Sequence, residues 1–372
     1  MKIRKIGVID HVGIKSGMDC YDLGLLRGLG DQGIRTYLFS NISSEKFSNP
    51  KTYHFFESQK RSNFRSLINF VWAHLCSYVM CRVLGVQTVI LHLFSTTRKE
   101  WLQYRLARLF GLQVITIVHD VNGFLNQDDE QLKAFIYGVS SYLVVHNQFS
   151  LSCIKEHLSL SDQEKVHVIP HGHYLDFIGN PTSKSDARTQ LGLEQDIKYL
   201  LFFGQIKTVK GLDLAVQALN DLPEDVHLII TGKPQKFDYG SIEDLIERLS
   251  LQGRVHEQIR FIRNDERDLY FRAADLLVLP YRQIYQSGVL LMAMSYGLPI
   301  IASDLPANCE IIEHGKNGLL FKTDDYADLS QKIGDCVHKE ELLLHLQRSS
   351  FEDVRSKFGW DHIALEYIKL MS

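Results

Sequence analysis

The sequence predicts an α/β protein made of two Rossmann-like, doubly wound parallel-sheet domains that face each other across a cleft. Three observations carry this expectation. Short β-branched, apolar runs alternate with helical periodicity along the whole chain. The alternation restarts after a polar, breaker-rich stretch at 180–186, which reads as a linker. The chain of 372 residues also favours two domains over one.

In the first half, strands are expected at 6–9, 35–39, 88–93, 114–118, 142–145 and 166–169, with helices at 21–29, 64–83 and 99–110. The second half repeats the scheme, with strands at 199–203, 226–231, 259–262, 276–279, 299–302 and 319–321. Its helices are expected at 212–219, 242–249 and 266–273. Domains are therefore drawn at 1–178 and 190–350. In open parallel sheets, ligands bind beyond the carboxyl ends of the strands, which is where the cleft is expected.

Composition narrows the function classes. A chain that is 45% hydrophobic and 23% charged can build a large core, so global disorder is excluded. A formal net charge of −3 speaks against a nucleic-acid partner. The cysteines Cys20, Cys76, Cys81, Cys153, Cys309 and Cys336 form no C-x-x-C pair. Zinc-ribbon and thioredoxin readings are disfavoured, and reduced thiols in a cytoplasmic protein are expected. The N-terminus passes from charge straight into a strand pattern, with no leader-like apolar core.

No run reaches the ~18 uninterrupted apolar residues of a membrane span. The nearest, 67–84, is broken by Asn69, His74, Ser77 and Arg82. Lys60, Arg61 and Arg65 precede the aromatic Phe70, Trp72 and Tyr78. Two readings of this helix stay open. The favoured one is a core helix flanked by solvated charges; the other is a surface-lying helix in peripheral contact with the inner membrane surface.

Four motifs carry chemistry. In 202–213 a buried strand ends at Gly204 and a helix starts near Gly211, with Lys207 and Lys210 in the turn. Free amides plus two ammonium groups suit a diphosphate, and Walker spacing is absent. The plainer reading is a solvated basic turn. In 286–304, Gln286-Ser287-Gly288 leads into an apolar helix from Val289, and Gly297 and Pro299 end it. That helix N-terminus can receive a phosphate, or is an ordinary turn before a core helix. Glu310 starts a later helix, where an acid also favours the dipole.

His119-Asp120 ends a strand, so His119 can bond a sugar hydroxyl or move a proton, or is simply fixed by its Asp neighbour. His92, His146 and His171 also sit at strand ends, but their spacing does not suit zinc. Finally, the loop 13–19, with Ser16, Gly17 and Asp19, lacks the dinucleotide fingerprint and would lie on the acceptor side.

In this order the motifs resemble the retaining glycosyltransferases of the GT-B fold, family 4 (group 1). The likeness rests on Gly17-Met18-Asp19, His119-Asp120, Ile169-Pro170-His171-Gly172, Phe203 to Gly211, Ala274-Asp275 to Pro280, and Gly297-Leu298-Pro299-Ile300. It implies a C-terminal domain that holds a nucleotide-diphosphate sugar and an N-terminal domain that holds a saccharide or polyprenyl-linked glycan acceptor. It implies that the last helix, within 351–372, packs back on the first domain. Lys207 and Lys210 would hold the diphosphate, aided by Gln205; Gln286, Ser287, Gly288, Val289 and Glu310 would meet the phosphate and sugar. His119 and Lys210 would be catalytic, with Ser16, Gly17, Asp19 and His171 on the acceptor side. No metal or other cofactor is implied.

Two departures stand out. The family's paired glutamates map to Ile284 and Met292, and Gln205 replaces a frequent arginine. The Gln-Ser-Gly-Val variant is similar to transferases of bacterial surface polysaccharides. Two alternatives remain: a non-catalytic nucleotide-sugar-binding partner subunit, and a nucleotide-sugar 2-epimerase.

Overall fold

The computed structural model describes residues 4–13, 17–42, 50–56, 63–121, 129–179 and 181–371, with backbone alone at 63–66. Two compact units emerge. One is Met1–Gly172 joined by Phe358–Ser372; the other is His173–Lys357.

The first unit runs β1 (Lys5–Ile9), α1 (Asp19–Asp31), β2 (Arg35–Phe39), β3 (Lys51–Tyr53), α2 (Asn63–Leu84), β4 (Thr88–Leu93), α3 (Arg98–Leu109), β5 (Gln113–Val118), α4 (Glu130–Val139), β6 (Tyr142–Val145), α5 (Gln148–Lys155), α6 (Leu160–Gln163) and β7 (Val166–Val168). Among the described residues the sheet has the order β3-β2-β1-β4-β5-β6-β7. Each pairing is parallel. Strand β4 is buried throughout, as expected where helices cover both faces. Winding reverses between β1 and β4, so the loops after these strands diverge and leave space at their carboxyl ends.

The second unit runs α7 (Lys184–Leu191), β8 (Lys198–Phe203), α8 (Leu212–Asn220), β9 (Val226–Thr231), α9 (Gly240–Arg248), β10 (Val255–Gln258), α10 (Asn264–Ala273), β11 (Leu276–Leu279), α11 (Gly288–Tyr296), β12 (Ile300–Ser303), α12 (Pro306–Cys309), β13 (Leu319–Phe321), α13 (Tyr326–Cys336) and α14 (Glu340–Lys357). Its parallel sheet has the order β10-β9-β8-β11-β12-β13, with the reversal between β8 and β11. Asp275 ties the start of β8 to this sheet. Its carboxylate accepts from Tyr199 N (2.7 Å), Arg188 Nη2 (2.7 Å) and Lys184 Nζ (2.5 Å). A buried charge so fully paired makes the acid of Ala274-Asp275 a structural group.

The last helix, α15 (Trp360–Leu370), belongs to the first unit and packs on α1. Glycine makes this seat. A Cβ on Gly24 would stand 2.3 Å from the Trp360 ring, one on Gly172 likewise 2.3 Å, and one on Gly28 2.5 Å from the Trp360 carbonyl. Tyr21 and Tyr367 close the contact with a 3.0 Å hydrogen bond between their hydroxyls.

Three expectations need correction, and one strand was not expected at all. The strand expected at 259–262 is instead β10, Val255–Gln258. It is an edge strand with a polar sequence, so the more apolar run beside it misleads. Strand β3, only three residues long, lacks a period that could announce it. The polar stretch 180–186 is only partly a linker: Ser183 caps α7, its Oγ accepting from Asp186 N at 3.0 Å. Ser and Asp favour loops and helix starts alike. In 351–372 the helix breaks at Gly359, so 351–357 complete α14 in the second unit.

Helix α2 also differs from its reading. By length and composition its stretch Leu67–Leu84, of mean hydropathy 1.4, is enough to cross a membrane. Two of the polar breaks are satisfied within the helix: His74 Nδ1 meets Phe70 O at 2.8 Å, and Ser77 Oγ donates to Ala73 O at 2.7 Å. Ala73, Tyr78 and Cys81 bury one face, while Ile68, Trp72, Val79 and Val83 leave an apolar stripe exposed on another.

The glycine seat yields a direct test. Gly28→Ala should lower stability by about 1–3 kcal/mol, because the backbone carbonyl it strikes cannot rotate away. Gly138→Ala, in α4 with nothing near its Cβ position, should be neutral or stabilising by up to ~1 kcal/mol. Urea unfolding midpoints of the two variants decide the comparison.

Candidate functional site

In the second unit two loops meet at the reversal between β8 and β11. Strand β8 ends at Gly204, whose N–H bonds Thr231 O at 3.0 Å. The chain then makes a 3-10 turn, Thr208–Lys210, and Gly211 starts α8 with φ 63°. A side chain is impossible at Gly211, since its Cβ would lie 1.9 Å from Pro280 O.

Arg282 stitches the loop after β11 to this turn. Its backbone N–H donates to Val209 O at 2.8 Å. Its guanidinium forks onto both Asp213 oxygens, each at 2.7 Å, and its Nε donates to Asp324 Oδ1 at 2.7 Å. Such a bidentate pair fixes orientation as well as distance.

This frame holds Lys210. Its ammonium stands 3.6 Å from the centre of the Tyr281 ring, a cation–π contact. The Tyr281 hydroxyl lies beside Ser287, and Ser287 Oγ accepts from Leu290 N at 3.3 Å, capping α11. Burial, with Lys207 adding repulsion, pushes the Lys210 ammonium down to about 7. The N–H groups of Gly288 and Val289 open α11 without intrahelical acceptors, as in any helix first turn. Val289 also reaches the other loop: a Cβ on Gly204 would stand 3.5 Å from its Cγ2.

The loop contacts thus bring Lys210, Gly204, Ser287 and Val289 to one place. Gln205 is exposed, and Lys207, Gln286 and Gly288 are half-buried on the same two loops. Glu310 does not start a helix; it caps the C-terminal end of the four-residue α12 and is exposed. There it lines a depression with Cys309, Asn317, Asp353 and Lys357. Ile284 and Met292 are buried and apolar, so no carboxylate stands at either place.

In the first unit the strand ends carry histidines. His119, half-buried after β5, stacks on Phe94 with ring centres 4.5 Å apart. Its Nε2 lies 2.9 Å from Nδ1 of His92, so the ring is held by another histidine. Nε2 of His92 lies 2.7 Å from Asp22 Oδ1. Burial, then His92, His146 and His171, hold His119 well below the usual range, so it is neutral.

His171 is buried, with Nδ1 2.6 Å from Gly172 O and its ring 4.8 Å from that of Tyr21. Burial and His146 lower it to about 3. This is the setting of a packed ring. Asp19 is the buried first residue of α1, and Gly17 turns the chain before it with φ 73°. Ser16 lies outside the described residues.

Sequence reasoning passed over Asp10, Asp22, Tyr281 and Arg282, and named His92 only as one of several strand-end histidines. A carboxylate directly after an apolar strand (Asp10) and one inside an apolar helix (Asp22) were the available signals.

Two Rossmann-like units whose strand ends carry a lysine turn in one and a histidine set in the other define a class. The whole chain has the GT-B fold of glycosyltransferases. It superposes on sucrose-phosphate synthase from Thermosynechococcus elongatus with a TM-score of 0.79 at 21% identity, covering 99% of this chain and 98% of the other. Anabaena HepE in complex with UDP and glucose gives 0.77 at 17% identity, covering 99% of each.

Within that fold, residues 197–339, all in the second unit, match the family described as Glycosyl transferases group 1. A D-inositol 3-phosphate glycosyltransferase from Xylanimonas cellulosilytica is 28% identical over 213 residues, 55% of this chain and 50% of that protein. Spore coat protein SA of Bacillus subtilis is 28% identical over 191 residues, 49% of this chain and 50% of that protein. The chain spans about half the length of these curated relatives.

The state of Lys210 can be measured without a ligand. Its acetylation rate, read by mass spectrometry across pH, should rise to a plateau with a midpoint at about 7, far below exposed lysines at about 10.4. Lys207→Met removes the like charge, so the midpoint should move up.

Proposed function

We propose that the protein is a glycosyltransferase that moves a sugar from a nucleotide-diphosphate sugar to a saccharide or polyprenyl-linked acceptor, with retention of configuration, in surface-polysaccharide or other glycan synthesis. The observation that carries this is the Lys210 ammonium, held over Tyr281 beside the open N-terminus of α11. A cation retained at the cost of burial suits a dianion that restores its charge.

In this reading Lys210, Lys207 and the amides of Gly288 and Val289 offset the charge of the leaving diphosphate. These groups do so without requiring a metal. Gln205, Gln286 and Ser287 orient the donor, Glu310 meets its sugar, and His119 acts near the transferred sugar. Gly17, Asp19 and His171 shape the acceptor side, with Ser16 in the same loop. HepE, whose structures contain UDP and UDP-glucose, supports a uridine donor.

A thermal-shift screen of UDP, GDP, ADP and their sugars tests this. A ligand at 100 times its Kd adds roughly 2.7 kcal/mol of stability. Lys210→Ala should remove the shift, and a shift that persists at full size would overturn the cradle.

Two further readings each have one supporting observation. Apolar Met292 and Ile284, where the family has glutamates, favour a partner subunit that binds donor without turnover. Product analysis with labelled donor separates it from an active transferase.

The apolar stripe of α2 favours a cytoplasmic protein that touches the inner membrane surface, with Trp72 68% and Val83 74% exposed. Helix α3, packed beside α2, adds the exposed basic groups Arg98, Lys99, Arg105 and Arg108. The protein should float with anionic liposomes, and Trp72→Ser with Val83→Ser should abolish it; no flotation of the wild type rejects membrane contact.

A further inference from the structure

Asp22, His92 and His119 form a continuous hydrogen-bonded line in the first unit. Asp22, on α1, is fully buried, and its Oδ1 lies 2.7 Å from Nε2 of His92. Nδ1 of His92, in β4, lies 2.9 Å from Nε2 of His119. The outer end of the line is Nδ1 of His119, on the half-buried ring. Oδ2 of Asp22 is buried without a donor, and the Asp10 carboxyl can hydrogen-bond Asp22 once one of them carries a proton. Asp10 itself is pinned, accepting from Val12 N and Gly13 N at 2.8 Å each.

Each link needs one proton between its two heavy atoms, so the line has two consistent arrangements with neutral rings. With Asp22 ionised, both histidines carry the proton on Nε2, and Nδ1 of His119 is an acceptor. With Asp22 protonated, both carry it on Nδ1, and His119 offers a donor.

We propose that Asp22 and His92 are positioning residues for His119, and that the line is a proton sink in which a proton taken up at Nδ1 of His119 comes to rest on Asp22. An N–H bond forms at His119 Nδ1. The proton on His119 Nε2 passes to His92 Nδ1, and the proton on His92 Nε2 passes to Asp22 Oδ1. The line gains one proton and loses the negative charge of Asp22, and no imidazolium forms. Given the transferase reading, on which this part rests, the source of the proton is the acceptor hydroxyl, which must lose one when its oxygen takes the sugar.

The surroundings suit this arrangement. The rings of His146 and Tyr21 lie 5.4 and 5.9 Å from that of His119. An imidazolium there would be desolvated and, with His171 close, near other histidines. The carboxylates Asp10 and Asp19, together with His11 and the Tyr21–Tyr367 pair, complete the groups around the inner end. Burial raises Asp22 to about 8, with Asp19 adding to it and the hydrogen bond to Asp10 opposing it. The sink is therefore full below that pH and open above it.

Histidine side-chain 15N NMR of the full chain reads the arrangement without any nucleotide sugar, so its outcome is separate from whether sugar is transferred. His119, assigned by its loss in His119→Gln, should stay neutral between about pH 6 and 9. Its proton should move from Nδ1 to Nε2 as pH rises, and Asp22→Asn should erase the pH dependence. An imidazolium at His119 in this range, or the same pH course in Asp22→Asn, overturns the proposal. Should that variant not fold, the wild-type course decides alone, and a His119 tautomer that does not change rejects the sink.

Discussion

The lysine turn and the loop after β11 meet because Gly211 has no side chain, which leaves its place to the Pro280 carbonyl. That close approach brings the loop after β11 against the loop after β8, and the rest of the candidate site follows. Arg282 can then fork onto Asp213, Tyr281 can lie under the Lys210 ammonium, and Ser287 can cap α11 beside Tyr281. Each contact is short-ranged, but together they make one rigid unit from two segments about seventy residues apart. A lysine on an unbraced loop would swing into water and keep its ordinary affinity for protons.

The first unit reaches the same kind of order by a different route. There the constraint is the room that Gly24, Gly28 and Gly172 leave for Trp360. With Trp360 seated, Tyr21 meets both Tyr367 and His171, and α1 is fixed with Asp22 facing His92. Positioning of the histidine line thus depends on a helix that returns from the far end of the chain.

Much of this fold was legible in the sequence. Strands such as 88–93 and 276–279 are apolar because both of their faces are covered, and that pattern is local. The lysine turn and the α11 start were also legible, because glycine and helix-start residues carry their geometry with them. The edge strand β10 was not, since its polar residues answer to solvent on one side. The line from Asp22 to His119 could not be read either. Its members are separated by 70 and 27 residues, and only the strand order brings β1, β4 and β5 together. The aspartate expected to hold His119, Asp120, sits beside it in sequence, whereas the ring nitrogen is held by His92.

Both units keep a titratable group where an apolar one would fold more safely. Lys210 is pushed down to about 7 and Asp22 up to about 8, in each case first by burial. Neither is neutralised by an opposite charge in the manner of Asp275, which faces Arg188 and Lys184. A structural ion pair settles its charges within the fold. A buried group left near its midpoint at neutral pH holds its charge loosely, so an arriving anion or proton can change it with little reorganisation. On the proposed reading, Lys210 gains charge from a diphosphate, and Asp22 loses charge to a proton passed through two imidazoles. If the protein transfers a sugar as proposed, the opposite signs of these two shifts answer its two needs, a cation for the leaving group and a base for the acceptor.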